Sequence, residues 1–135
     1  MRILGAIFII FDIIISMKLY ESAEDYLERI LILSNQQGIV RSIDIARDMN
    51  FSKPSVSIAM HKLEDNGYIK IGDKGELNLT PKGREVAEAV YERHLVITKA
   101  LVKMGVSEDQ AKIDACKIEH DISKETFEAL KKVIK

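Results

Sequence analysis

The sequence predicts a mainly α-helical chain with one short β-hairpin, divided into two parts near residue 80. Three observations carry that prediction. Apolar residues recur at three- and four-residue spacing through most of the chain. Small polar residues stand directly ahead of the periodic segments, at Ser42, Ser52, Thr80, Ser107 and Ser123, where a side-chain oxygen caps a helix. Between Gly67 and Pro81 the period becomes alternating, around the turn-forming run Gly72-Asp73-Lys74-Gly75.

The 135 residues have room for one compact domain or for a small domain with a helical appendage. Apolar residues make up 47% and charged residues 30%, a globular mixture that excludes a disordered chain. A net charge of -1 and a pI near 6.3 exclude a heavily basic nucleic-acid coat but not a local phosphate-binding patch. Residues 41–85 carry eight Lys/Arg against seven Asp/Glu, so any such patch is small. A single cysteine forms no internal disulfide and points to a reducing, cytoplasmic setting. No phosphate-binding loop of Walker or Rossmann spacing is present.

Residues 3–15 are almost wholly apolar apart from Asp12, a run too short to span a bilayer, which needs about 20 residues. Residues 1–16 are read as an extension ahead of a start at Met17, and no membrane role is expected. The first core helix is predicted over 21–36, with Tyr26, Leu27, Ile30, Leu31 and Leu33 inward and Gly38 closing it. Asp25 and Glu28 lie one turn apart within it, where acids in a first turn also favour the helix dipole. A short helix follows over 42–49, with Ser42 as cap and Ile43, Ile45, Ala46 and Met49 buried. After a turn at Asn50-Phe51, Ser52 caps a helix with Pro54 in its first turn. Val56, Met60 and Leu63 face inward there; Lys53, Ser55, Ser57, Ile58 and Lys62 face out. Short helix, tight turn and second helix make a helix-turn-helix, and strands 68–71 and 76–80 add the wing of a winged helix. A long helix from Thr80-Pro81 to about Met104 buries Val86, Val90, Leu95, Ile97, Leu101 and Val102. Two shorter helices follow, the last with Phe127, Leu130 and Ile134 inward. The surplus apolar surface of these last three helices predicts a homodimer interface.

The chemistry concentrates at Cys116-Lys117-Ile118-Glu119-His120. On a helix, positions i, i+3 and i+4 share a face, so Cys116, Glu119 and His120 would present sulfur, oxygen and nitrogen together. That mixed set suits a borderline divalent transition metal better than magnesium or calcium. A carboxylate buried unpaired there would cost several kcal/mol. A core cysteine and, for His94 in the long helix, a satisfied core histidine are the plainer alternatives.

Five segments together resemble the DtxR/MntR family of metal-dependent bacterial repressors. They are Glu24-Asp25-Tyr26-Leu27-Glu28, Ser52-Lys53-Pro54-Ser55-Val56-Ser57, Leu79-Thr80-Pro81-Lys82-Gly83, Arg93-His94, and Cys116 through His120. The resemblance runs from Met17 to Lys135 and matches the shorter, manganese-type members without an SH3-like domain. It implies a winged-helix DNA-binding domain over 17–80 and a helical dimerisation and metal-binding domain over 81–135. It also implies Mn2+ or Fe2+ as cofactor, with Asp25, Glu28, His94, Cys116, Glu119 and His120 as ligands. Cys116 agrees with the iron branch and Asp25 with the manganese branch, so the implied site is a hybrid.

The function expected is a transcriptional repressor in which metal ties the first helix to the later ones and sets the spacing of the dimer's two recognition helices. Docking on an inverted-repeat operator needs them about 34 Å apart. Ser52, Lys53, Pro54, Ser55, Ser57, Lys62, Lys70 and Lys74 are the expected DNA contacts. A winged-helix regulator of the MarR kind, responding to an organic effector, is the competing reading. An enzyme using Cys116 or metal-bound water is a more distant one, because no orienting third residue or substrate loop accompanies the pair.

Overall fold

The computed structural model describes residues 2–135, with the side chains of residues 5–7, 9, 10 and 22–135. Six helices and one hairpin follow in order: α1 (Arg2–Gln37), α2 (Ser42–Met49), α3 (Lys53–Asp65), β1 (Ile69–Ile71), β2 (Leu77–Leu79), α4 (Pro81–Lys103), α5 (Glu108–Ile118) and α6 (Lys124–Val133). The predicted mainly helical architecture, a winged helix-turn-helix followed by a helical region, is the one observed. Among the described residues no helix is long and apolar enough to cross a membrane.

The first helix begins at Arg2 rather than near residue 21. Residues 2–20 contain no proline and one glycine, Gly5, so nothing in the backbone interrupts it. It ends where Gly38 takes a left-handed φ of 85° and returns its N–H to the Ser34 carbonyl. Leu27, Ile30, Leu31 and Leu33 enter a core shared with Ile45 and Ala46 of α2, Val56, Met60 and Leu63 of α3, and Ile69 and Leu77 of the hairpin.

Four helices are capped as predicted: the hydroxyls of Ser52, Thr80, Ser107 and Ser123 accept from the N–H groups of Ser55, Gly83, Gln110 and Thr126. The cap of α2 differs. Arg41 holds that position, not Ser42, and its backbone N–H donates to the Asp44 carboxylate at 2.8 Å. The cap is thus made by the acid one turn ahead and leaves Ser42 as the first helical residue. Of the predicted buried set in α2 only Ile45 and Ala46 are buried. Ile43 points to solvent and Met49 is half-buried, because the helix is short and packs along one narrow edge.

The strands pair antiparallel with Ile69 opposite Leu79 and Ile71 opposite Leu77, and Arg41 adds a bridge to Glu76. The hairpin is fastened to the start of α4. Thr80 donates its hydroxyl to the Gly67 carbonyl at 2.6 Å and its N–H to the Tyr68 carbonyl at 3.1 Å. Lys82 reaches the Asn66 carbonyl at 2.9 Å and lies over the Tyr68 ring. Gly83 sits buried against that same Tyr68 carbonyl, leaving no room for a side chain.

The long helix α4 packs on α1 and α5, burying Ala87, Val90, Val96, Ile97 and Ala100. Leu95 and Val102, predicted inward, are 40% and 43% exposed. They lie on faces of α4 that neither α1 nor α5 covers within one chain. Replacing Gly83 with alanine drives a methyl group into the Tyr68 carbonyl. The expected cost is about 1–3 kcal/mol, the usual penalty for overpacking, measured as a fall in thermal midpoint against a Val86→Ala control in the same turn.

Candidate metal centre

Asp25 and Glu28 lie more than twenty residues beyond the first residue of α1, so they are not first-turn acids and the dipole does not explain them. They face α4 and the chain that follows α5. Glu28 is buried, with 3% of its surface exposed.

The spacing of Cys116, Glu119 and His120 predicted one helical face, but α5 ends at Ile118. Glu119 keeps helical angles and donates its N–H to Ala115, while residues 119–121 form the turn into α6. Just beyond its end, α4 claims the carbonyls of the turn that follows. Arg93 donates to the carbonyls of Glu119 at 3.2 Å and Ile122 at 3.4 Å, and its guanidinium lies against the Phe127 ring. These contacts take the place of the next helical turn and let His120 swing toward α1.

The result is two donor sets that share one carboxylate. His94, Cys116 and Glu119 form one; Asp25, Glu119 and His120 form the other, with ligand atoms in each set within 4.8 Å of one another. Glu119 Oε2 lies 3.0 Å from His94 Nδ1, and Cys116 Sγ lies 3.7 Å from the same nitrogen. His120 Nε2 is 2.6 Å from Asp25 Oδ1 and 3.5 Å from Glu119 Oε1. Glu28 belongs to neither three-donor set. It lines, with Asp25 and Cys116, a cleft of about 380 Å3 that opens beside Arg29, Met49, Ile113 and Lys117. Thr98, one turn beyond His94, donates its hydroxyl to the His94 carbonyl rather than to the centre.

A divalent cation fits this arrangement. Glu119 is 1% exposed, and its Oε1 and the Glu28 Oε2 are buried without a hydrogen-bond partner. Buried carboxylate oxygens left bare are costly, and sulfur, imidazole and carboxylate donors converge around them. The titrating groups respond to the same crowding. Burial, then the adjacent Glu119 carboxylate, raises Glu28 to about 7. Hydrogen bonding to Cys116 and to Glu119 pushes His94 up to about 10. Hydrogen bonding to Asp25 and then Glu24 does the same for His120.

Glu24 was not among the expected site residues, yet its Oε1 lies 3.1 Å from His120 Nδ1 and orients the ring. Arg93 was likewise seen only as part of a motif. Their signals were adjacency to Asp25 and to His94. On the helix-turn-helix, Ser52, Lys53, Pro54, Ser55 and Lys62 are exposed at or along α3, Ser57 is half-buried, and Lys70 and Lys74 are exposed on the hairpin. The Ser52 hydroxyl is engaged within the cap, donating to Ser55 Oγ at 2.7 Å. Arg41, also not anticipated, holds the hairpin tip by donating from Nε to the Lys74 carbonyl at 3.0 Å.

Because the folded-state pKa values of Glu28, His94 and His120 are all raised, the fold retains protons that the unfolded chain releases. Each contribution is present at low pH and is lost as pH rises, Glu28's between about 4.5 and 7 and the histidines' between about 6.5 and 10. Metal-free protein is therefore expected to lose thermal stability from pH 6.5 to pH 9, with a shallower slope for His120→Gln. Since ligation displaces those protons, calorimetry in buffers of different ionisation enthalpy should show proton release on Mn2+ binding; none would contradict the assignment of these groups.

The chain matches the family model described as the N-terminal DNA binding domain of the iron dependent repressor over residues 18–77. It matches the metal binding and dimerisation domain of the same family over residues 80–135. It is 34% identical over 109 residues to the transcriptional regulator MntR of Salmonella typhimurium, covering 81% of this chain and 69% of that protein. It is 36% identical over 102 residues to the HTH-type transcriptional regulator MntR of Geobacillus kaustophilus, covering 76% and 72%. Among solved structures, a manganese-dependent transcriptional repressor in complex with manganese superimposes with a TM-score of 0.76 at 27% identity, over 83% of this chain. This chain spans 52% of that one, about half its length. Winged helix, helical region and convergent donors thus stand together on one chain, which belongs to the iron-dependent repressor family of metal-responsive, DNA-binding transcriptional regulators.

Proposed function

We propose that this protein represses transcription as a homodimer bound to an inverted-repeat operator when Asp25, Glu28, His94, Cys116, Glu119 and His120 hold Mn2+ or Fe2+. Residues 17–80 serve as the DNA-binding part and 81–135 as the dimerisation and metal-binding part, with 1–16 an extension. The observation that carries the reading is the pair of bare carboxylate oxygens on Glu28 and Glu119, buried amid donors from three separate parts of the chain. A bound divalent cation supplies the close partner that Glu28 Oε2 lacks and that Glu119 Oε1 has only at 3.5 Å, in His120. Asp25 and Glu28 bring α1 to the centre; His94 brings α4; Cys116, Glu119 and His120 bring α5 and its terminal turn. Holding all three elements at one point restricts how α1, and the helix-turn-helix resting on it, lies against the dimerising helices.

On the DNA side, Lys53 and Lys62 flank the exposed face of α3, and Lys70 and Lys74 extend along the wing, as phosphate contacts. Ser55 offers the hydroxyl hydrogen that the cap leaves free, while Ser52, Pro54 and Ser57 set the backbone's approach. The organic-effector reading lacks a comparable observation, since the family model over 80–135 is that of a metal-binding domain.

Binding to a duplex selected from a random pool by the Mn2+-loaded protein tests the proposal. Mn2+ is expected to tighten binding by about tenfold to a hundredfold, the usual range for coupled sites. Asp25→Ala and Glu119→Ala should each abolish that gain, and an undiminished gain in both would refute the ligand set. Cys116 governs which metal is preferred. Replacing the thiol by a harder oxygen donor in Cys116→Glu should move the ratio of Mn2+ to Co2+ affinity toward Mn2+ by about tenfold or more, as read by competition titration under reducing conditions.

A further inference from the structure

We infer that Tyr26 and Arg29 are the positioning residues through which the metal centre sets the recognition helix, acting on Asp48 at the end of α2 and Phe51 in the turn ahead of α3. The inference rests on the functional reading above. Tyr26 and Arg29 each directly follow a donor, Asp25 and Glu28, so each is rotated by about 100° around α1 from the residue that faces the centre. One side of two successive turns of α1 therefore meets the metal donors, and the adjacent side meets the helix-turn-helix.

The contacts on that second side bracket a single bend. Arg29 Nε lies 3.0 Å from Asp48 Oδ2, near the end of α2. The Tyr26 ring meets Phe51 edge-on, with centroids 6.2 Å apart and planes at 73°. Between Asp48 and Phe51 lies Asn50, the one non-glycine residue with positive φ among the described residues, at 57°. Phe51 donates its N–H back to the Ala46 carbonyl at 3.0 Å, and Ser52, next in the chain, caps α3. Whatever orients this bend orients the recognition helix.

The pairing is at contact distance without being locked. The buried Arg29 Nε–H has no hydrogen-bond partner in good alignment, although Asp48 is within ion-pair range. Arg29 also adjoins Glu28, so two carboxylates compete for one guanidinium. Charge neutralisation at Glu28 leaves Asp48 as the stronger attraction, drawing the end of α2 onto α1. Met49 and Arg29 line the same cleft as Asp25, Glu28 and Cys116, so this rearrangement takes place at the wall of the centre itself.

Asp48→Asn and Phe51→Leu test the inference, since both residues are exposed and neither is a donor. Each variant is compared with wild type for Mn2+ affinity without DNA, and for affinity to the selected duplex with and without Mn2+; thermal melts confirm folding. The expected result is Mn2+ affinity and metal-free DNA affinity within about twofold of wild type, while the Mn2+-dependent gain in DNA affinity shrinks by about tenfold. Arg29→Gln combined with Asp48→Asn should lose no more of that gain than Asp48→Asn alone. An undiminished gain overturns the inference, as does an equal loss with and without Mn2+, which would mark the residues as plain DNA contacts or supports of the turn. If wild type itself shows no gain with Mn2+, the functional reading fails and takes the inference with it; a failure confined to the variants leaves that reading standing.

Discussion

The placement of the centre depends on His120 reaching across to α1. Its two ring nitrogens lie against Asp25 and Glu24, residues 95 and 96 positions earlier in the sequence. Nothing local brings these together. The reach requires α5 to stop at Ile118, beyond which Arg93 takes the carbonyls of the following turn and is itself braced by Phe127 from α6. Each of the three C-terminal helices thus contributes to aiming one imidazole. With both nitrogens against acids the ring favours its protonated form, its pKa raised to about 10, and a cation that binds there displaces that proton.

Glu119 gives the centre its divided character. It faces a sulfur and an imidazole on one side and a carboxylate and an imidazole on the other. The first set is softer than the second. Cys116 is the residue that makes them differ, and a carboxylate in its place would leave the two sets nearly alike. Glu28, outside both sets but pressed against Glu119, adds negative charge that burial and the neighbouring Glu119 carboxylate hold in check.

Much of the fold was legible because its signals are local. Ser52, Thr80, Ser107 and Ser123 cap helices by bonding N–H groups three residues away, a pattern written in adjacent residues. Arg41 escaped because the bonding oxygen belongs to Asp44, and an arginine at a cap carries no recognisable mark. The start of α1 escaped because its periodicity is submerged in a uniformly apolar run. Leu95 and Val102 were misplaced for a different reason: α4 is apolar on more than one face, and spacing alone does not say which face a neighbour covers. At the candidate centre, residue types and the family resemblance pointed to six positions, while Glu24 and Arg93, present in the sequence only as neighbours of Asp25 and His94, take their roles from where their partners fall in space. The end of α5 at Ile118, which turns a helical face into a hook, likewise has no mark in a stretch whose residues all tolerate helix.

The attachment of the hairpin to α4 bears on how such a molecule can move. Where two domains meet, a slack connector would let each turn on its own. Here Thr80, Lys82 and Gly83 rivet the base of the wing to the first turn of the long helix within four residues. The wing and the first turn of the long helix therefore move as one piece, so any give between the two parts of the chain must come from bending further along α4 or from the packing of α1 on it, not from the junction.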